Sequence, residues 1–153
     1  MEKNEIVNCL LNLVQLDIDA VHAYRQAIQK IDIQTVKDQL TLFKADHHRH
    51  IKDLSPMIET FGGTSPEFSK DFKGYLIEGF TAIRSITGTE GALKAMKTNE
   101  QLTTKTYDKA LKNDLPPEVR EVVARNSEDE KRHLQYIERA LENRVWEHVG
   151  KAA

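Results

Sequence analysis

Cysteine is nearly missing from this 153-residue chain. Cys9 is the only one, which excludes an intrachain disulfide and a thiolate metal site. A reducing cytoplasm is the expected location. Proline (four) and glycine (seven) are scarce and gather mostly between the candidate helices, so long uninterrupted helices are expected. Neither sign of charge dominates: 22 Lys and Arg face 24 Asp and Glu, a net of −2, which excludes the electrostatic footprint of a nucleic-acid or anionic-membrane binder. No apolar run approaches the roughly 18 residues of a membrane-spanning helix. The opening Met1-Glu2-Lys3-Asn4-Glu5 is too polar to read as a signal peptide. What remains, 39% hydrophobic and 30% charged residues, suits one domain of amphipathic helices over residues 1–148, with a short tail at 149–153.

Apolar residues recur at intervals of three and four in four stretches, the period of a helix with one buried face. The first stripe is Leu10, Leu13, Asp17, Ala20, Tyr24, Ile28 and Ile31, with Asn4 as the expected cap and Asp19 and His22 on the solvated side. The second, capped by Asp32, is Val36, Leu40, Phe43, His47, His50, Leu54, Met57 and Phe61; Pro56 is expected to kink this helix and Gly62-Gly63 to end it. The third, capped by Thr89 and running to about Asn113, is Leu93, Met96, Glu100, Thr103, Tyr107, Ala110 and Leu111. Leu115-Pro116-Pro117 stops and restarts the chain. The fourth stripe is then Val119, Val123, Asn126, Glu130, His133, Ile137, Leu141 and Val145, in a helix to about His148. Between the second and third helices, a polar loop (64–72) and a short apolar helix (74–86) are long enough to return the chain along the bundle.

The two halves are copies. A shift of 83 positions places His133 on His50, Arg132 on Arg49, Asp129 on Asp46, Glu130 on His47, Tyr107 on Tyr24 and Glu100 on Asp17, without a gap over two helices. In each half a carboxylate precedes a tyrosine by seven residues, and that tyrosine precedes a histidine by 26. Six ionisable residues therefore interrupt the apolar stripes at matching depths: Asp17, His47, His50, Glu100, Glu130 and His133. Helical bundles build dimetal sites this way, from one carboxylate on each of two helices and an E-x-x-H on each of the other two. Several buried carboxylates would be very costly alone, and cations in the core offset that cost.

The paired pattern resembles the ferritin-like superfamily, in which two helix hairpins joined by a crossover each carry E-x6-Y and E-x-x-H. The stretch from Leu16 to Ala27 and the Phe61-Gly62-Gly63 turn are similar to bacterial ferritin-like proteins grouped as a domain of unknown function. The resemblance spans nearly the whole chain. It implies a bundle of the ferritin and rubrerythrin kind, which oxidises ferrous iron, reduces peroxide or activates oxygen. Two positions depart from the family pattern: Asp17 stands where glutamate is usual, and His47 replaces the first glutamate of an E-x-x-H.

These observations lead to one set of expectations. The fold is all-α, a four-helix bundle running up-down-down-up with a crossover that carries a short extra helix. Asp17, Glu100 and Glu130 supply oxygen ligands and His47, His50 and His133 nitrogen ligands to a dimetal centre. Iron, two ions at most, is the expected cofactor, with zinc or manganese as alternatives; oxygen or peroxide is the partner, and the assembly a homodimer. The competing reading is a redox-inactive ferritin-like scaffold, tied to stress or assembly, whose site is degenerate or holds a single ion. Whether the chain is an enzyme stays open at this level.

Overall fold

A computed structural model describes residues 1–68, 83 and 85–148. Four long helices account for most of them: α1 (Lys3–Lys30), α2 (Gln34–Thr60), α3 (Gly88–Leu111) and α4 (Pro117–Glu142). No strand occurs among the described residues. Of the expected short helix at 74–86 only residues 83, 85 and 86 are described, none of them helical; the rest of it and the tail at 149–153 lie outside the described residues.

Each helix packs on two others, α1 on α2 and α3, and α4 on α3 and α2. Short linkers, 31–33 and 112–116, make α1–α2 and α3–α4 hairpins. The pairing of the hairpins is read from side chains. Tyr24 reaches Glu100 while Tyr107 reaches Asp17, so α1 and α3 are antiparallel. His50 meets Asp129 while His133 meets Asp46, so α2 and α4 are antiparallel too. That is the up-down-down-up order, and every one of these pairs maps onto its mate by the 83-residue shift.

Two apolar clusters fill the bundle, one containing Leu10, Leu13, Leu54, Val119 and Val123, the other Ala27, Leu40, Phe43, Met96 and Ile137. The polar residues that interrupt the stripes form the layer between them. α1 is also apolar enough over 18 residues (mean hydropathy 1.2) to match a membrane span, contrary to the sequence expectation; 67% of that stretch is buried within the bundle.

The helix ends differ from expectation in instructive ways. α1 begins before Asn4, because the Glu2 backbone N–H donates to Glu5 Oε2 (2.8 Å) and makes the cap there. Neither Asp32 nor Thr89 caps its own helix. Instead the Thr89 hydroxyl donates to Asp32 Oδ1 (2.9 Å) and ties the α1–α2 linker to the start of α3. α2 continues through Pro56 and ends at Gly62 (φ +89°) and Gly63, whose N–H donates to Ile58 O. Gly63 is needed for a second reason, since a Cβ there would stand 2.5 Å from Val7 Cγ1 on α1. α4 stops at Glu142, six residues short of His148, because Arg144 adopts a left-handed conformation and a 3-10 turn (Val145–Glu147) follows. Val145 thus lies outside α4, in the 3-10 turn, yet it still packs half-buried against the second apolar cluster.

Asp19 and His22 are buried, not solvated. The chain beyond α2 covers that side of α1: His22 stacks on Phe68 with ring centroids 5.4 Å apart, and His48 meets the same phenyl edge-on.

Candidate metal centre

The four helices bring Asp17, His47, His50, Glu100, Glu130 and His133 to one level, and none exposes more than 1% of its surface. The cluster has two lobes. Asp17, His47, His50 and Glu130 offer donor atoms all within 4.8 Å of one another, and so do His47, Glu100, Glu130 and His133. Each group of four can hold a metal ion. Their common members are His47 and Glu130, the two residues that exchange under the internal repeat. The middle of the site is therefore imidazole on one side and carboxylate on the other.

The Glu130 carboxylate faces both lobes, with Oε1 3.3 Å from His50 Nδ1 and Oε2 3.4 Å from His133 Nδ1. The His47 ring does the same with its two nitrogens. Nδ1 lies 2.7 Å from Asp17 Oδ1, and Nε2 lies 3.2 Å from Glu100 Oε1 and 3.4 Å from Glu130 Oε2. His50 and His133 are oriented differently: each turns Nδ1 inward and Nε2 outward. His50 Nε2 meets Asp129 Oδ2 at 3.0 Å, and His133 Nε2 meets Asp46 Oδ2 at 2.8 Å. A carboxylate that holds one ring N–H fixes the tautomer and leaves the other nitrogen free to bind a cation.

Those outer carboxylates are themselves clasped. Arg132 donates from Nη2 to Asp46 Oδ2 (2.9 Å) and to Asp129 Oδ1 (3.0 Å); Arg49 donates from Nη1 to Asp46 Oδ1 (3.1 Å) and from Nη2 to Asp129. Asp46, Asp129, Arg49 and Arg132 were not among the expected site residues. The same 83-residue shift relates them in pairs, and that signal could have found them.

The phenols cross between halves. Tyr24 donates to Glu100 Oε1, and Tyr107 donates to Asp17 Oδ2 (2.6 Å). Thr103 adds a hydrogen bond to Glu100 Oε2 (2.7 Å). Asp17 and Glu100 thus have their orientations fixed from outside the cluster.

Electrostatics follow from this packing. Burial opposes charging His47, but the Glu130 charge and hydrogen bonds to Asp17 and Glu100 outweigh it and push its pKa up to about 10. The same contest, decided by Asp17 and Asp129, pushes His50 up to about 11; Asp46 and Glu100 push His133 up to about 10. Burial would raise Asp17 and Glu100, yet the neighbouring histidines hold both below the usual carboxylate range, Glu100 far below it. Burial and the adjacent carboxylates raise Tyr24 and Tyr107 well above 10, so both remain donors. Without metal, three carboxylates face three imidazolium rings and the layer is close to neutral.

That balance is incomplete at the atomic level. Both carboxylate oxygens of Glu130 and Nδ1 of His133 are buried without a well-formed hydrogen bond. These atoms, all from one turn of α4 and facing the His47 and His50 imidazoles of α2, fit a divalent cation, for which oxygen and nitrogen donors are the ordinary ligands.

The family described as Domain of unknown function (DUF2383) matches residues 5–113. The match takes in Asp17, His47, His50 and Glu100 and stops before α4, which carries Glu130 and His133. No curated protein matches the chain.

Proposed function

Because the chain belongs to that family, whose description assigns no activity, we propose from the buried cluster that it is a ferritin-like non-haem metal protein with a dimetal-carboxylate centre. Asp17, Glu100 and Glu130 are its oxygen ligands and His47, His50 and His133 its nitrogen ligands. The observation that carries this reading is the orphaned set, Glu130 Oε1 and Oε2 with His133 Nδ1, sealed in a layer where apolar side chains lie above and below. These atoms have ion-pair contacts of 3.3–3.4 Å with one another and with the His47 and His50 rings in place of well-formed hydrogen bonds, and a bound cation would take up all three at once.

Iron is the metal put first. When bound, it supplies one-electron exchange with oxygen or peroxide. The residues of the chain do the rest. Tyr24 and Thr103 hold Glu100, Tyr107 holds Asp17, and Asp46 and Asp129 keep the Nε2–H of the two outer histidines pointed away from the ions. Glu130 is placed to serve both lobes. His47 turns one nitrogen to each lobe, but as a neutral imidazole it would ligate through only one of them and keep a proton on the other, where a symmetric site would offer a second carboxylate.

A second reading rests on His47 as well. Its ring satisfies carboxylates in both lobes at once (2.7 and 3.2 Å), so the layer can close on itself without two ions. A single-ion site of zinc or manganese in a redox-inactive scaffold fits that arrangement. Anaerobic loading with ferrous iron, followed by oxygen or peroxide in a stopped-flow spectrometer, separates the two. Ferric absorbance that grows faster than in protein-free controls, in proportion to protein, supports the redox reading. Metal uptake without oxidation leaves the scaffold.

A further inference from the structure

The two lobes are related by the repeat, and their ceilings are not the same. One turn before His47 stands Phe43, and one turn before Glu130, at the equivalent position (43 + 83 = 126), stands Asn126. Phe43 is fully buried, stacks on the His133 ring at 4.3 Å and meets Tyr24 and Tyr136 edge-on. The Glu100–His133 lobe is therefore closed by a phenyl ring that offers nothing to a polar ligand.

The repeat puts Asn126 at the matching position toward the other lobe, and it is a polar side chain at 0% exposure. Its amide makes a loose hydrogen-bond contact with the Tyr107 phenol, which in turn holds Asp17. Neither amide atom of Asn126, donor or acceptor, has a hydrogen bond of good geometry. A fold that wanted only to fill this space would use leucine or phenylalanine, as it does at position 43. A buried amide whose one loose partner is a phenol already committed to Asp17 is a stability cost, and such groups call for a partner that is not part of the chain.

We infer that the Asp17–His50 lobe is the one that accepts an exogenous small ligand, and that Asn126 is the residue that hydrogen-bonds it. The ligand is of the size of water, azide or a diatomic molecule, and it occupies the space between the Asn126 amide and the ion held by Asp17, His50 and Glu130. The other lobe takes an ion and no further ligand. This rests on the metal-centre reading above and adds to it which ion meets the substrate.

The test uses the full chain loaded with cobalt(II), titrated with sodium azide and followed by visible absorption, with cobalt per chain measured alongside. Wild type is expected to show a saturable azide-dependent change of one equivalent. Asn126→Leu is expected to keep its cobalt, bind azide ~3- to 10-fold more weakly through loss of one hydrogen bond, and melt no lower than wild type when metal-free, because a poorly satisfied buried amide has been removed. Asn126→Ala carries the same azide comparison should leucine overfill the site. Unchanged azide affinity in a cobalt-loaded variant, or no azide response in loaded wild type, overturns the assignment of this lobe. Failure of wild type to take up cobalt or any other divalent ion overturns the metal-centre reading itself, and the inference with it.

Discussion

Replacing His47 by glutamate restores to α2 the E-x-x-H that α4 carries, and its effect can be worked from the geometry. In the metal-free protein the layer holds three carboxylates and three imidazolium rings, −3 + 3 = 0. The variant holds four carboxylates and two rings, −4 + 2 = −2, in a layer with no exposure. His47 lies 2.7 Å from Asp17, 3.2 Å from Glu100 and 3.4 Å from Glu130, so a carboxylate in its place faces three others. Removing one partner of a buried ion pair costs about 3–5 kcal/mol, and reversing its sign costs no less. For a chain of this length each kcal/mol lowers Tm by roughly 2–4 °C, which gives a drop of about 10 °C. With two divalent ions and neutral histidines the order reverses, since −4 + 4 = 0 in the variant against −3 + 4 = +1 in the parent. His47→Glu is thus expected to be the less stable protein without metal and to bind two divalent ions more tightly with it. Thermal unfolding with chelator and with excess ferrous or manganous ion measures both. A variant that melts with the parent in chelator, and gains no more from metal, would refute the charge argument.

Asp46→Asn and Asp129→Asn are each expected to weaken metal binding by about 10- to 100-fold, because an amide that replaces the carboxylate no longer fixes the N–H of His133 or His50; competition with a chromophoric chelator reads this, and unchanged affinity would assign the two aspartates to the Arg49–Arg132 clasp alone. pH acts in opposite directions on the two forms. The raised histidine pKa values make the metal-free bundle gain stability that is complete below about 6.5 and lost as pH rises through about 10, while lowered carboxylates such as Asp46, at about 2, withdraw theirs as pH falls below about 4. Metal needs those rings neutral, so its affinity is expected to climb with pH and its binding to release protons, measurable by calorimetry in buffers of different ionisation enthalpy; affinity that is flat between pH 6 and 8 would contradict this.

Four helices and the six clustered residues were legible in the sequence because both rest on periodicity. A polar residue inside a 3.6-residue apolar stripe is either an error or a site, and the 83-residue shift made the interruptions coincide. Asp46, Asp129, Arg49 and Arg132 obeyed the same shift but stand just off the stripes, so a reading that collected only stripe interruptions passed over them. Asp19 and His22 failed for a different reason. One stripe per helix assumes one buried face, and α1 buries a second under the chain that carries Phe68. The caps at Asp32 and Thr89 were misplaced because each side chain found the other, 57 residues away, in place of its own helix. That Tyr24 serves Glu100 and Tyr107 serves Asp17 depends on how the hairpins pair, which no local pattern encodes.

The central claim is that this buried layer holds metal. Metal content per chain, by mass spectrometry on untagged protein after loading with iron, manganese or zinc, tests it most directly, with Glu130→Ala beside wild type. The account predicts one to two divalent ions per wild-type chain and a clear loss in the variant, whose helical content persists. Wild type that stays metal-free after loading with all three ions, or a Glu130→Ala protein that keeps the full complement, would contradict it.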